Sequence, residues 1–308
     1  MIPKRHNFLN SVKVLDFSTH LPGPFATYLL QRMGAQITRV LHPTKPDPAI
    51  AFGKAYSDFL NRDKGNIKID LKDSSQRTDL EKAVLETDVV LYSFRPSVCK
   101  KLGIDPESLW KIKKDLIICS MTGFPIGSKN QDRPGHDLNF IALSGMLSLT
   151  DKPRLPPVPL GDVTQAWDAA LQVASAVASG SNEGVLLNPN IEDALDHAQG
   201  LFIEEFEQTG RVPKPGRLFS TGGTARYEVY ELTDGKHLSV GALEEHYWQA
   251  FLDVIGLSDL DDSKVKPEEV KEKVQKALLS KSASRWEVEF EKTACCVEVI
   301  LDYSERDF

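Results

Sequence analysis

Apolar and polar positions alternate along the first 124 residues in a way that predicts strands and helices in turn. VKVLDF (12–17) is β-branched and apolar, STHLPGP (18–24) is turn chemistry, FATYLLQRMGA (25–35) has helical spacing, and QITRVL (36–41) returns to strand. That is a βαβ unit. The helical SQRTDLEKAVLET leads into the apolar run DVVLYSF, and PESLWKIKKD leads into LIICSMTGF, so the alternation continues. The pattern predicts an open, mostly parallel, Rossmann-like α/β sheet. The first crossover turn carries Pro22, Gly23 and Pro24 but no G-x-G-x-x-G, so the dinucleotide fingerprint is missing.

Beyond the sheet, LNFIALSGMLSL and AWDAALQVASAVASG predict two Ala-rich helices on either side of the Pro-rich DKPRLPPVPLGD. One further helix is expected over NIEDALDHAQGLFIEEFEQ, and RVPKPGRLFSTGGT reads as a linker. The period then shortens. ARYEVYEL and HLSVGAL, joined by TDGK, predict a β-hairpin, with the helical EEHYWQAFLDVIGL next and a last strand at CCVEVIL. The expected organisation is a large α/β domain over 1–185, a helix and linker over 186–224, and a small α+β domain over 225–308.

Composition narrows the function classes. A chain of 308 residues, 41% hydrophobic and 26% charged, is that of a globular protein. A net charge of −7 supplies no basic field for nucleic acid, so an anionic ligand must meet local Lys and Arg. The four cysteines show no C-x-x-C spacing, and neighbouring Cys295 and Cys296 are poorly placed to bridge each other, which fits a reduced, cytoplasmic setting with the cysteines as packing residues. The N-terminal MIPKRHNFLN has no apolar signal core, and no window approaches the roughly 20 apolar residues of a membrane helix. Neither export nor membrane insertion is expected.

Two residues stand out as chemistry, each with a structural alternative. Asp162 precedes an Ala-rich helix and, with Gln165 three residues on, forms a variant capping box; a carboxylate fixed at a helix start can also be a catalyst. His136 opens the other helix, where by itself it reads as a surface residue beside a cap at Asp137. Arg39 is placed at the end of the second strand and Arg95 after DVVLYSF, both at the C-terminal ends of parallel strands, where open α/β folds bind ligands.

Six segments, in order, resemble the family III CoA-transferases, the group of carnitine CoA-transferase, formyl-CoA transferase and α-methylacyl-CoA racemase. They are VKVLDFSTHLPGPFATYLLQRMGAQITRV, NRDKGNIKIDLKD, DVVLYSFRPSVCKKLGID, LIICSMTGFPIGSKNQDRPGHDLNFIALSGMLSLT, PLGDVTQAWDAAL and YEVYELTDGKHLSVGALEEHYWQAFLDVIGL. The resemblance implies that family's fold, and an acyl-CoA substrate with no metal or prosthetic group, CoA being part of the substrate. Asp162 looks like the family's shared carboxylate, a nucleophile in transferases and half of an acid–base pair in racemases. His136 stands where transferases carry a tyrosine or another residue and racemases carry the second half of the pair. Glu244 matches a racemase glutamate that comes from the small domain to hold the histidine; read alone, it is an ordinary acid at a helix start. The resemblance assigns Arg39 and Arg95 to the CoA nucleotide, with Asn61, Arg62 and Lys64 nearby, and it implies an interlocked homodimer.

The expected activity is therefore that of an α-methylacyl-CoA racemase moving a proton at the carbon α to the thioester, with a CoA-transferase or a catalytically silent acyl-CoA-binding homologue as alternatives. Departures from the family are specific. Val163, Thr164 and Gln165 replace a run of glycines after the aspartate, Ser97 replaces the glycine of FRPG, Leu41 and His42 replace a strand-end acid, and SGSNEGVLLN replaces a basic, glycine-containing segment. Family members also continue past the strand matched by CCVEVIL, so the resemblance implies a shortened member.

Overall fold

A computed structural model of the chain describes residues 7–307; the segment 1–6, which enters the argument against a signal sequence, lies outside them. Two compact units emerge. One runs to Leu147 and continues over Arg154–Ile203, and the other comprises Ser148–Pro153 and Glu204 onward.

The larger unit is built on six parallel strands, β1 (Lys13–Asp16), β2 (Gln36–Leu41), β3 (Gly65–Lys68), β4 (Val89–Tyr92), β5 (Ile117–Ser120) and β6 (Val185–Leu187), in the order β3-β2-β1-β4-β5-β6. This is the doubly wound arrangement, with its topological switch between β1 and β4. Residues of β4 are all buried, as a central parallel strand requires. Its alternate side chains divide between two cores. Val89 and Leu91 join Val14 under α1 (Pro22–Arg32) and α7 (Leu160–Ser179), whereas Val90 and Tyr92 join Leu15 and Ile118 under α3 (Arg77–Leu85) and α5 (Pro106–Ile112). Ala166, Ala169 and Ala170 give α7 a small-residue face against the sheet and α1. The remaining helices of this region are α2 (Lys54–Asn61), α4 (Pro96–Leu102), α6 (Asp137–Leu143) and α8 (Ile191–Ala198).

Strands β3 and β6 were not anticipated. The sequence GNIK of β3 is mostly polar because an edge strand presents little surface to a core, and β6 is only three residues long. The helix expected over 190–208 breaks at Gln199 into α8 and α9 (Gly200–Thr209), and the Gln199 side-chain amide donates to Ser144 O and Leu195 O.

In the smaller unit, the hairpin β7 (Tyr227–Glu231) and β8 (His237–Gly241) turns at Gly235, whose φ of 78° suits a residue without a Cβ, and β9 (Val297–Val299) adds antiparallel to β8. Trp248, Phe251, Trp286 and Phe290 fill its core from α10 (Glu245–Ile255) and α12 (Ala283–Phe290), together with Val270 and Val274 of α11 (Pro267–Leu278). The segment expected as helix and linker, 186–224, is divided at Ile203 and Glu204 between the two units. All four cysteines are unpaired, and no helix among the described residues is long and apolar enough to cross a membrane.

Candidate active site

A cavity of about 460 Å³ opens where β1, β4 and β5 end side by side. His20 reaches it from the turn after β1, Arg95 from the segment after β4, and Met121, Thr122 and Gly123 from the end of β5. The N-terminal ends of α6 and α7 supply His136, Asn139, Asp162 and Gln165. His136 and Asp162, the two residues singled out for chemistry, thus share one cavity with Arg95.

The position of each is set locally. His136 occupies the N-cap of α6 with extended backbone, and its N–H donates to Asn139 Oδ1 at 3.0 Å. Asp137 is therefore not the cap of its own helix. Its Oδ1 instead accepts the backbone N–H of Asp162 at 3.0 Å, the first turn of α7, so one carboxylate ties the starts of two helices together. Gly161 is required at this junction: a Cβ there would lie 2.7 Å from Ile191 Cγ2 and 3.0 Å from Asp137 Oδ1. Phe140 packs closely at the start of α6, for a Cβ on Gly123 would collide with its ring.

The expected Asp162 and Gln165 capping box is not formed. Helix α7 begins two residues earlier, at Leu160, which leaves Asp162 inside the first turn. The Gln165 amide, buried, donates to Thr122 O and Pro189 O and so fastens α7 to the end of β5. Freed from capping, the Asp162 carboxyl faces the cavity. Burial, and then the nearby Asp137 charge, push its pKa up to about 7. Burial also raises the pKa of Asp137, against the lowering effect of the Asp162 and Gly161 N–H groups. Tyr56 of α2 senses the same carboxylate: burial first and Asp162 second push its hydroxyl up to about 12.

The residues expected at the CoA nucleotide separate into two groups. Arg95 lines the cavity, is exposed, and donates from Nη1 to Asp132 O at 3.0 Å. Arg39 lies inside β2 rather than at its end and is buried, with Nη2 2.6 Å from Asp47 Oδ2. Lys64 is buried too. Its Nζ donates to Pro24 O (2.8 Å), Thr27 Oγ1 (2.8 Å) and Asn61 Oδ1 (3.3 Å), which uses all three ammonium protons and leaves none for a phosphate. Burial lowers its pKa to about 8. Lys64 and Asn61 thereby hold α1 to α2, whereas Arg62, past the end of α2, is exposed. Glu244 is the exposed N-cap residue of α10, in the smaller unit.

A second cavity, about 910 Å³, lies over the C-terminal ends of β1 to β3 and is lined by His42, Lys45, Asp47, Lys68, Lys72 and Phe94. Asp47, the partner of Arg39, stands in its wall. These lysines escaped notice because exposed lysines look like ordinary surface charge in a sequence. His20 was also missed, although it adjoins a predicted strand end, and Asp137 was read only as a helix cap.

The profile of the CoA-transferase family III matches residues 9–306. The chain belongs to that family. A CaiB/baiF CoA-transferase family protein of Caenorhabditis elegans is 29% identical over 97% of this chain and 88% of its own length. The α-methylacyl-CoA racemase of Mus musculus is 27% identical, covering 96% of this chain and 78% of the relative. The acetyl-CoA:oxalate CoA-transferase of Acetobacter aceti is also 27% identical, covering 95% and 80%. In fold, the chain is similar to the crystal structure of a CAIB/BAIF family protein from Brucella suis, with a TM-score of 0.84, 20% identity and coverage of 97% and 85%.

Proposed function

We propose that the protein is an acyl-CoA racemase of the α-methylacyl type, in which His136 and Asp162 exchange the proton on the carbon α to the thioester. The observation that carries this is the pair itself: an imidazole and a carboxyl share one cavity, and the carboxyl has its pKa raised to about 7. Inversion requires one group to remove a proton from one face while another returns a proton to the opposite face. A carboxyl poised near neutrality is present in both forms, so it can serve in either direction. Loss of the proton moves the C–H electron pair into a C=C bond and the carbonyl pair onto oxygen; reprotonation reverses this on either face.

The CoA portion is assigned to the 910 Å³ cavity, with its phosphates met by Arg95 and the lysines along the strand ends. Arg39 contributes there by fixing Asp47. Glu244 is assigned to orient the His136 imidazole, as the resemblance implies, and two copies of the chain are expected to interlock. The experiment is incubation with 2-methylacyl-CoA in heavy water, read by NMR: deuterium entering the α position of both epimers, with their interconversion, is the expected result.

A transferase reading has one observation in its favour, since among these relatives at 27% identity one is named a CoA-transferase. Asp162 would then be the nucleophile. A mass increase on Asp162 with acyl-CoA, or trapping by hydroxylamine, together with no α-exchange, would decide for that reading.

A further inference from the structure

His20 belongs to neither half of the acid–base pair, yet it stands on the same cavity wall, with its ring centroid 6.5 Å from that of His136 and the two rings tilted by 46°. It projects from the turn after β1, at the topological switch of the sheet. Its Nδ1 lies 2.7 Å from Thr19 Oγ1. A neutral imidazole carries its single proton on one nitrogen, and the hydrogen bond made by the other decides which. When the threonine hydroxyl donates to Nδ1, the ring proton sits on Nε2.

Two observations define a task for such a donor. An enolate formed beside the thioester needs a hydrogen bond at its oxygen, and the Asp162 backbone N–H, a natural source at a helix start, is already given to the Asp137 carboxylate. The surroundings also favour the neutral ring: although the residue is exposed, partial burial of the ring and then the neighbouring His136 lower its pKa. A neutral imidazole donates its proton in a hydrogen bond without handing it over, which suits a group that stabilises an oxyanion and leaves proton transfer to others.

We propose that His20 is a further catalytic residue, donating a hydrogen bond from Nε2 to the thioester oxygen of the bound acyl-CoA. The assignment rests on the acyl-CoA reading of the cavity. No proton changes owner in this contact. The α-proton goes to Asp162 or His136, the C–H pair becomes the enolate double bond, and the carbonyl π pair moves to the oxygen that Nε2–H holds. In this arrangement the Thr19 hydroxyl donates to Nδ1, and Thr19 acts as a positioning residue for the ring.

The test uses the full chain and 2-methylbutanoyl-CoA carrying ¹³C at the thioester carbonyl. Polarisation by a donor moves the carbonyl resonance downfield on binding. The expected result is a downfield shift in wild type that is lost in His20→Ala and partly kept in His20→Gln, whose amide N–H still donates. The exchange rate should fall about 10²- to 10³-fold in His20→Ala, mostly in kcat rather than KM, the usual effect of removing one oxyanion donor. Thr19→Val should retain affinity and lose part of the shift. A bound carbonyl resonance unchanged by His20→Ala, or unshifted in wild type, would overturn the proposal. A wild-type protein that exchanges no α-proton but loses its carbonyl shift with His20→Ala would refute the racemase reading and leave the His20 contact standing.

Discussion

The carboxylate of Asp137 accepts the backbone N–H of Asp162, so the residue beside the candidate histidine fixes the helix turn that carries the candidate carboxyl. One ion thus sets both the spacing and the charge environment of the pair. Replacing Asp137 by Asn keeps an oxygen able to accept the N–H while removing the charge that helps raise the Asp162 pKa. The pH midpoint assigned to Asp162 should fall below its wild-type value of about 7. A pH–rate profile, or a ¹³C titration of labelled aspartate, reads this directly, and an unmoved midpoint would show that Asp137 exerts no such control.

Asp162→Asn and His136→Gln should each abolish inversion, because inversion needs a group on either face. Each loss should be at least about 10²- to 10⁴-fold in epimer interconversion. Either variant is expected to exchange one epimer with retention through its surviving base. Glu244→Gln, which alters only the partner assigned to His136, should be milder than both. Racemisation by His136→Gln at the wild-type rate would remove the histidine from the mechanism.

Asp162 should also cost the protein stability at alkaline pH. Its folded-state pKa of about 7 lies above the ordinary aspartate value of 3.8, so the folded state holds the proton more tightly than the unfolded state. The resulting stabilisation is full below pH 3.8 and is lost as pH rises through about 7. Asp162→Asn escapes this loss. By chemical denaturation it should exceed wild type by about 1 to 3 kcal/mol near pH 8, with the difference shrinking near pH 5. A constant difference across that range would contradict the raised pKa.

Arg95 and Arg39 should behave differently despite their common expected role. Arg95→Ala should weaken CoA binding by about 1.5 to 3 kcal/mol, less at high salt, with little change in melting temperature. Arg39→Ala leaves Asp47 without its partner in a site where both side chains are largely buried, and should destabilise the fold by about 3 to 5 kcal/mol. Calorimetric titration and thermal melts of the two variants separate these effects; equal melting points would argue against a structural duty for Arg39.

Sedimentation of the purified chain should give a dimer at micromolar concentration. A single species near 34.3 kDa would reject the interlocked assembly.

The sequence exposed the parts of this architecture where periodicity and burial coincide. Strands β4 and β5 are mostly apolar, and β1 and β2 send Val14, Leu15, Ile37 and Val40 to the cores, because both faces of the sheet are covered, and the TDGK hairpin has a glycine where the turn needs positive φ. Edge strands β3 and β6 left no such trace. Within the site, His136 and Asp162 were recognisable as residues at helix starts, but the start of α7 was misplaced. Pro159 and Leu160 precede Asp162 in a segment whose prolines obscure where helical geometry begins. The duties of Lys64 and Arg39 were hidden for a different reason: a buried cation with internal acceptors is spelled the same way as one that awaits a phosphate, and only Pro24 O, Thr27 and Asp47 distinguish them.

Beneath His20, the buried Asp16 accepts hydrogen bonds from the Ser18 N–H and hydroxyl and from the Thr27 hydroxyl, while Lys64 donates to that same Thr27 oxygen. The turn that carries His20 is therefore anchored by polar contacts from strand β1, helix α1 and the segment after α2, none of which involve the imidazole itself. Such an arrangement separates backbone from tip. A substitution at His20 can therefore change the cavity wall while the loop keeps its course, so that a loss of function there would report on the imidazole and not on a collapsed turn.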